Sequence, residues 1–485
     1  MGDFMLSKNI DENILIVESA FSDWGDIVKR RLKIGDNKDR AIYVCYIDNL
    51  ASRDLVHTTL LHGLMVDIRL TPPQNEAEYI TTLLDGGVTT ADLKQEENIY
   101  TAMNEVMGGN VMLLIDGYDK AVIISARGYP NRGVNKAENE VAVQGSKEAF
   151  NEVMRYNTVL IRRRIRDTNL KCKQMSIGKK TKTDVAVMYM QDCVREEILQ
   201  EVLKRLDKIQ VDAILDSGYI EQYIEDNKVS PFPQLQLTER PDRVAAELLE
   251  GRVAIVVDNS PFVILVPAVL ASFYQASEDY YQHWEIMSFV RIIRYIAGFL
   301  AFALPGLYIA ITLHQPSMIS GQLALKLAGA RSTVPIPTVA EVIFMELAFE
   351  ALREAGIRLP SAIGGTLGIV GGIIIGQAAV EAGIVSPMVV IVVALTGICS
   401  FAVPNIALTS AYRLVKYFII ILSCFLGMYG WFLGIIALLI HLCSLSSFGI
   451  PYLYPFTSAR CIGELRDSFI RVPLKRMKGS IFKRK

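Results

Sequence analysis

The sequence lacks the motifs that usually announce an enzyme. It has 34 glycines, but none are arranged as a GxGxxG turn or a GxxxxGK[ST] loop, so neither common phosphate cradle is present. GxSxG and HExxH are also missing. The five histidines (His57, His62, His283, His314, His441) are scattered, and His57 and His62, five apart, make a poor metal pair on a helix. The seven cysteines form no CxxC pair. They read as small apolar residues in a reducing compartment, not as disulfides or metal ligands. No catalytic residue, metal site or cofactor is expected. Charge of one sign is not in excess either: 50 Lys and Arg face 51 Asp and Glu, a net −1, so no global field calls for nucleic acid. A secretion signal is missing too, because MGDFMLSKNIDENIL carries acids where a basic and then apolar run belongs. Residues 1 to 285 are therefore expected in the cytosol.

What the sequence does have is long apolar runs. No Asp, Glu, Lys or Arg occurs in 295–325, 359–380, 382–412 or 417–459. A helix of about 20 residues crosses a hydrocarbon core of about 30 Å, and four segments suffice: 292–313, 362–380, 388–411 and 417–440. Arg291 and Arg294 sit where they can snorkel at the first entry, beside an aromatic belt of Tyr280, Tyr281 and Trp284. Pro305 is expected to interrupt the first span, and Pro404-Asn405 the third, with the freed backbone facing protein or water. Gly364, Gly368, Gly372 and Gly376 form one ridge without side chains, a surface for helix packing and assembly. Gln377 and Glu381 follow on a neighbouring row. Arg413 and Lys416 read as the charge boundary before the last span, and a basic tail runs from Ser458.

The segment 338–355 is the anomaly. Pro335 and Pro337 precede Thr338-x-x-Glu341, a capping box. Glu346, Glu350 and Glu354 then recur every four residues on one face, with Arg353 and Arg358 in pairing range. One reading is an amphipathic helix lying at the interface. The other is a pore or gate helix whose carboxylates line an ion path, since carboxylates at membrane depth must face a cavity or a partner. In that second reading the ion-path residues are Glu346, Glu350 and Glu354, with Gln377, Glu381, Pro305, Pro404 and Asn405.

The first half is mixed α/β. Residues 41–47 are a strand-forming run, 194–209 an amphipathic helix, and 111–115 with 121–125 a hairpin about Asp116-Gly117. A second hairpin is expected at 253–257 and 262–266. Ile34-Gly35 recurs as Ile177-Gly178, and Glu105-x-x-x-Gly109-x-Val111 as Glu247-x-x-x-Gly251-x-Val253, offsets of 143 and 142. The near-constant offset suggests two copies of one module; chance convergence of two ordinary α/β patterns is the competing account. Arg162, Arg163 and Arg164 lack the interleaved aromatics of a nucleic-acid groove and read as a solvated face or a subunit contact. The expected organisation is α/β subdomains at 1–130 and 131–285, related by tandem duplication in the first of the two accounts, then an all-α polytopic membrane domain at 286–450 and a basic cytosolic tail at 451–485.

Several stretches together resemble the A-subunit of GerA-type spore germination receptors: GSKEAFNEVMRYNTVLIRRRIRDTNL (145–170), FPQLQLTERPD (232–242), EDYY (278–281), PGLYIAIT (305–312), MELAFEALREAGIRLP (345–360), IGQAAVEAGIVSP (375–387) and SFGIPYLYP (447–455). The resemblance covers nearly the whole chain. It implies a multi-pass protein of the inner membrane of the bacterial endospore. It also implies a transporter-like B-subunit and a lipoprotein C-subunit as partners, and a homo-oligomer gated by nutrient and passing monovalent cations. A secondary transporter and a membrane scaffold without its own pore are the alternatives.

Overall fold

The computed structural model describes residues 5–34, 40–52, 54–62, 65, 93–128, 140, 144–332, 334–358, 376–457 and 467–473. The chain divides into two compact units, one built mainly from residues 1–225 and 235–267, the other from 226–234 and 268–478.

The first unit holds two five-stranded antiparallel sheets. In chain order the first is α1 (Ile10–Ala20), β1 (Ile27–Ile34), β2 (Arg40–Ile47), β3 (Leu93–Glu96), α2 (Ile99–Met107), β4 (Val111–Ile115) and β5 (Ala121–Ile124). The second is α3 (Met154–Arg162), β6 (Leu170–Ile177), β7 (Thr183–Met190), α4 (Glu196–Asp207), α5 (Ser217–Ile224), β8 (Gln236–Thr238), α6 (Pro241–Leu249), β9 (Val253–Val257) and β10 (Val263–Val266). The sheets share one order, β1-β2-β4-β5-β3 and β6-β7-β9-β10-β8. Ile27–Ile34 pairs with Arg40–Ile47 in the same register as Leu170–Ile177 with Thr183–Met190.

Burial explains why the central strands read as unbroken apolar runs. In the first sheet Tyr43, Cys45, Met112, Leu114 and Ile123 pack beneath α1 and α2. Their alternating neighbours Ile42, Val44, Leu113, Ile115 and Val122 fill a second cluster on the opposite face. With both faces covered, polar alternation disappears. Both expected hairpins form. Gly117 and Asn259 take positive φ, +82° and +66°, as tight strand turns require.

The second unit is helical. It comprises α7 (Leu270–Tyr274), α8 (Trp284–Ile309), α9 (Gly321–Arg331), α10 (Thr338–Arg358), α11 (Pro387–Phe401), α12 (Ile406–Leu426) and α13 (Met428–Ser444). Among the described residues, two helices are long and apolar enough to cross a membrane: the 31 residues Trp284–His314 and the 21 residues Ile406–Leu426.

Several boundaries differ from the hydropathy reading. Pro305 does not break α8; the helix runs through it to Ile309 and relaxes in a π turn over Ala310–His314. The expected spans 388–411 and 417–440 are re-cut into three helices. Asn405 caps α12 by accepting from the Leu408 N–H at 2.9 Å, so Pro404-Asn405 lies between helices. Gly427, at φ +59°, then separates α12 from α13. Arg413 and Lys416 consequently fall inside α12, not at a boundary. Residues 376–381 are helical, while the rest of the span at 362–380, with Gly364, Gly368 and Gly372, lies outside the described residues.

The described part of the tail packs into this unit. Asp467 receives Arg291 Nη1 at 2.9 Å and the Tyr280 hydroxyl at 2.6 Å. Arg471, 4% exposed, donates to the Gln282 carbonyl at 3.0 Å. Arg291 and Arg294 both bind Asp279, at 2.9 and 2.7 Å. All three are buried, so these arginines are ion-paired where the sequence suggested snorkelling.

Candidate functional site: a buried charge cluster between two helices

Helix α10 presents Glu346 and Glu350 one turn apart. Helix α12 presents Arg413 and Lys416, also about one turn apart, so two charged stripes can meet face to face. Lys416 Nζ lies 2.5 Å from Glu346 Oε2 and 3.6 Å from Glu350 Oε1. Arg413 Nη1 lies 3.2 Å from Glu350 Oε2, and Arg353 Nη1 lies 3.8 Å from the same oxygen. Glu346 is 1% exposed and Lys416 3%.

Neighbouring groups hold the cations in place. Arg353 donates to Ser400 Oγ at 3.2 Å, its guanidinium 5.2 Å from the Phe349 ring and 5.3 Å from that of Phe401. Arg413 donates to Ser410 Oγ at 2.7 Å. Gly397 makes the approach possible: a Cβ there would fall 2.4 Å from Phe349 Cζ. A cavity of about 10 Å³ borders Glu346, Arg353, Thr396, Ser400 and Lys416, room for about one water.

Two carboxylates thus face three cations. Pairing of this kind is what lets α12 carry Arg413 and Lys416 among apolar residues, with one positive charge left in excess. Separating α10 from α12 would uncover two carboxylates and two cations together.

The sequence-selected residues part company here. Glu346 and Glu350 meet in the cluster. Glu354, two turns on from Glu346, is exposed. Gln377 and Glu381 bond to each other at 2.9 Å, both exposed. Pro305 is buried in α8. Gly376 faces Val390, where an added Cβ would lie 3.3 Å from Cγ1. Arg413 and Lys416 were missed as site residues. The signal for them was present: two cations three apart within an apolar run match two glutamates four apart in another.

The arginine triplet of the first unit is engaged within the chain. Arg162 is 2% exposed and grips Asp26, Nη2 to Oδ1 at 2.7 Å, with its guanidinium 3.5 Å above the Trp24 ring. Trp24 forms a parallel bridge with Cys172, so these contacts join the two α/β modules. Arg163 and Arg164 both bond Glu148, at 2.6 and 2.5 Å. Burial pushes that carboxyl up, but the two guanidiniums outweigh it and hold it below the usual range.

Paired α/β modules followed by apolar helices with a buried, internally ion-paired charge cluster define a candidate membrane protein with a polar core. The sequence profile of the Bacillus/Clostridium GerA spore germination protein matches residues 16–481, and the chain belongs to that family. Spore germination protein KA of Bacillus subtilis (strain 168) is 41% identical over 97% of this chain and 85% of its own. Spore germination protein GerLA of Bacillus cereus is 35% identical over 99% and 96%. The solved N-terminal domain of the A subunit of the Bacillus megaterium spore germinant receptor GerK3 is 32% identical, covering 56% of this chain and 99% of that one at a TM-score of 0.44.

Proposed function

We propose that this chain is the A-type subunit of a nutrient germinant receptor in the inner spore membrane, and that copies of it assemble into a nutrient-gated channel for monovalent cations. Its first unit and its tail lie on the cytosolic side. Its partners are a transporter-like B-subunit, a lipoprotein C-subunit, further copies of itself and membrane lipid. The two sheets of the first unit descend from one duplicated module, a reading supported by their shared strand order and register.

The observation that carries the channel reading is the Glu346–Lys416 pair with its neighbours Glu350 and Arg413. Carboxylates on α10 suit a cation path, as rings of acidic side chains do in cation channels. In this conformation they are locked to α12, so the pairs act as the closed latch. Nutrient binding elsewhere opens the latch only by binding the open state more tightly. The ridge Gly364, Gly368, Gly372 and Gly376 belongs to the assembly surface in this reading.

A secondary transporter is the second reading, favoured by the non-helical link at 402–405 between α11 and α12. Cation flux through the receptor in liposomes tests both. A channel gives flux that rises with ion gradient without saturating at low turnover. A transporter saturates, and a scaffold gives no flux. The last two results would each overturn the channel.

A further inference from the structure

At the opposite end of α10 from Arg353, Glu341, Ser386 and Tyr308 come together, with Thr338 one turn before Glu341, and the charge cluster uses none of them. Glu341 and Thr338 are fully buried, Ser386 is 1% exposed and Tyr308 9%. Glu341 Oε2 accepts from the Ser386 backbone N–H at 2.8 Å. Its other oxygen, Oε1, accepts no hydrogen bond among the described residues, and Thr338 Oγ1 has no partner there, while Ser386 Oγ and the Tyr308 hydroxyl have only each other within reach. The Tyr308 hydroxyl is within hydrogen-bonding reach of the Ser386 side chain and within electrostatic range of Glu341, and Thr338 lies one turn before Glu341 on the same helix. Among the described residues, the cation paired with Glu341 is Arg331, whose Nε is 3.7 Å from Glu341 Oε1 and whose side chain is 29% exposed.

Unpartnered buried oxygens are costly, and several at one place need a common satisfier. The donor set decides its chemistry. One carboxylate and three hydroxyls, with no sulfur or imidazole, suit a hard cation. The single negative charge decides the valence. A monovalent ion neutralises Glu341, whereas a divalent ion would leave net positive charge buried beside Arg331. The π turn that begins two residues after Tyr308, at Ala310, is an irregularity often found at functional sites.

We propose that Glu341, Ser386, Thr338 and Tyr308 form a binding site for one alkali cation, and that Arg331 is its built-in competitor. Arg331, at the end of α9, holds Glu341 at a distance when the ion is away and swings to solvent when it binds. The claim concerns binding, so it stands or falls separately from conduction by the assembled receptor.

The test is equilibrium binding of radiolabelled sodium and rubidium to the purified full chain in detergent at constant ionic strength. Unlabelled alkali ions, N-methyl-D-glucamine and calcium serve as competitors. The expected result is saturable binding, displaced by an alkali ion but by neither N-methyl-D-glucamine nor calcium. Glu341→Gln should abolish it. Ser386→Ala and Tyr308→Phe, which keep the carboxylate and the fold, should each weaken it about tenfold. Arg331→Gln should tighten it, a sign that a merely structural role for Arg331 would not produce. The site is overturned if no saturable binding is seen, or if Ser386→Ala and Tyr308→Phe bind like wild type. Displacement by calcium, weaker binding in Arg331→Gln, or occupancy that follows pH alone would overturn it equally.

Discussion

The residue that decides most is Lys416. An ammonium in an apolar helix is tolerable only with a partner, and Glu346 supplies one at 2.5 Å. Removing Lys416 strands Glu346, and removing Glu346 leaves Lys416 only Glu350 at 3.6 Å, at a cost of up to about 3–5 kcal/mol. Glu346→Gln and Lys416→Met should therefore each lower the detergent melting temperature clearly. The double variant should lose much less than the sum, and a double-mutant cycle on purified protein reads this coupling. Additive losses would mean that the pair is not an energetic unit. Glu221 offers a test in the first unit. Burial, with Glu225 and Asp216 nearby, raises its carboxyl from 4.5 to about 7. The fold thus keeps a proton that the opened chain releases, so local stability falls as pH rises from about 4.5 to 7 and is flat above. Amide exchange in Ser217–Ile224 should speed up across that window beyond its intrinsic pH dependence, and Glu221→Gln should flatten the excess. An unchanged excess in Glu221→Gln would place its origin elsewhere.

At the scale of elements, close helix approach rests on a few glycines. A Cβ on Gly430 would lie 2.0 Å from the Leu422 carbonyl oxygen across the α12–α13 turn, whereas one on Gly321 meets nothing within 4 Å. Gly430→Ala should destabilise by about 1–3 kcal/mol through overpacking. Gly321→Ala, at the first residue of α9, should be neutral or slightly stabilising. Thermal unfolding of the two variants side by side checks this, and equal behaviour would contradict the packing. The elements were legible in the sequence where the signal is local. The hairpins at Asp116-Gly117 and Asn259, and the helix Glu196–Asp207, follow from turn chemistry and periodicity. Helix ends at Asn405 and Gly427 were missed, because apolar runs on both sides hide a cap and a positive-φ turn from any hydropathy window.

At the scale of the whole molecule, the sequence placed two glutamates of the cluster but not their cations. The partners Glu346 and Lys416 are 70 residues apart. Charge in an apolar run looks like a boundary until the helix that neutralises it is known. Arg162 was misjudged for the same reason: its partner Asp26 is 136 residues away in the other module. Both cases are non-local pairing, which no window on the chain can show. The proposed latch gives the molecule two states, α10 locked to α12 or released from it. The most direct measurement is cation efflux from liposomes carrying the assembled receptor without nutrient, comparing wild type, Glu346→Gln, Lys416→Met and the charge-swapped pair Glu346→Lys with Lys416→Glu. The latch predicts tight wild-type vesicles, leak in both single variants at unchanged protein abundance, and at least partial restoration of tightness and nutrient response in the swap. Single variants as tight and as nutrient-responsive as wild type would contradict it.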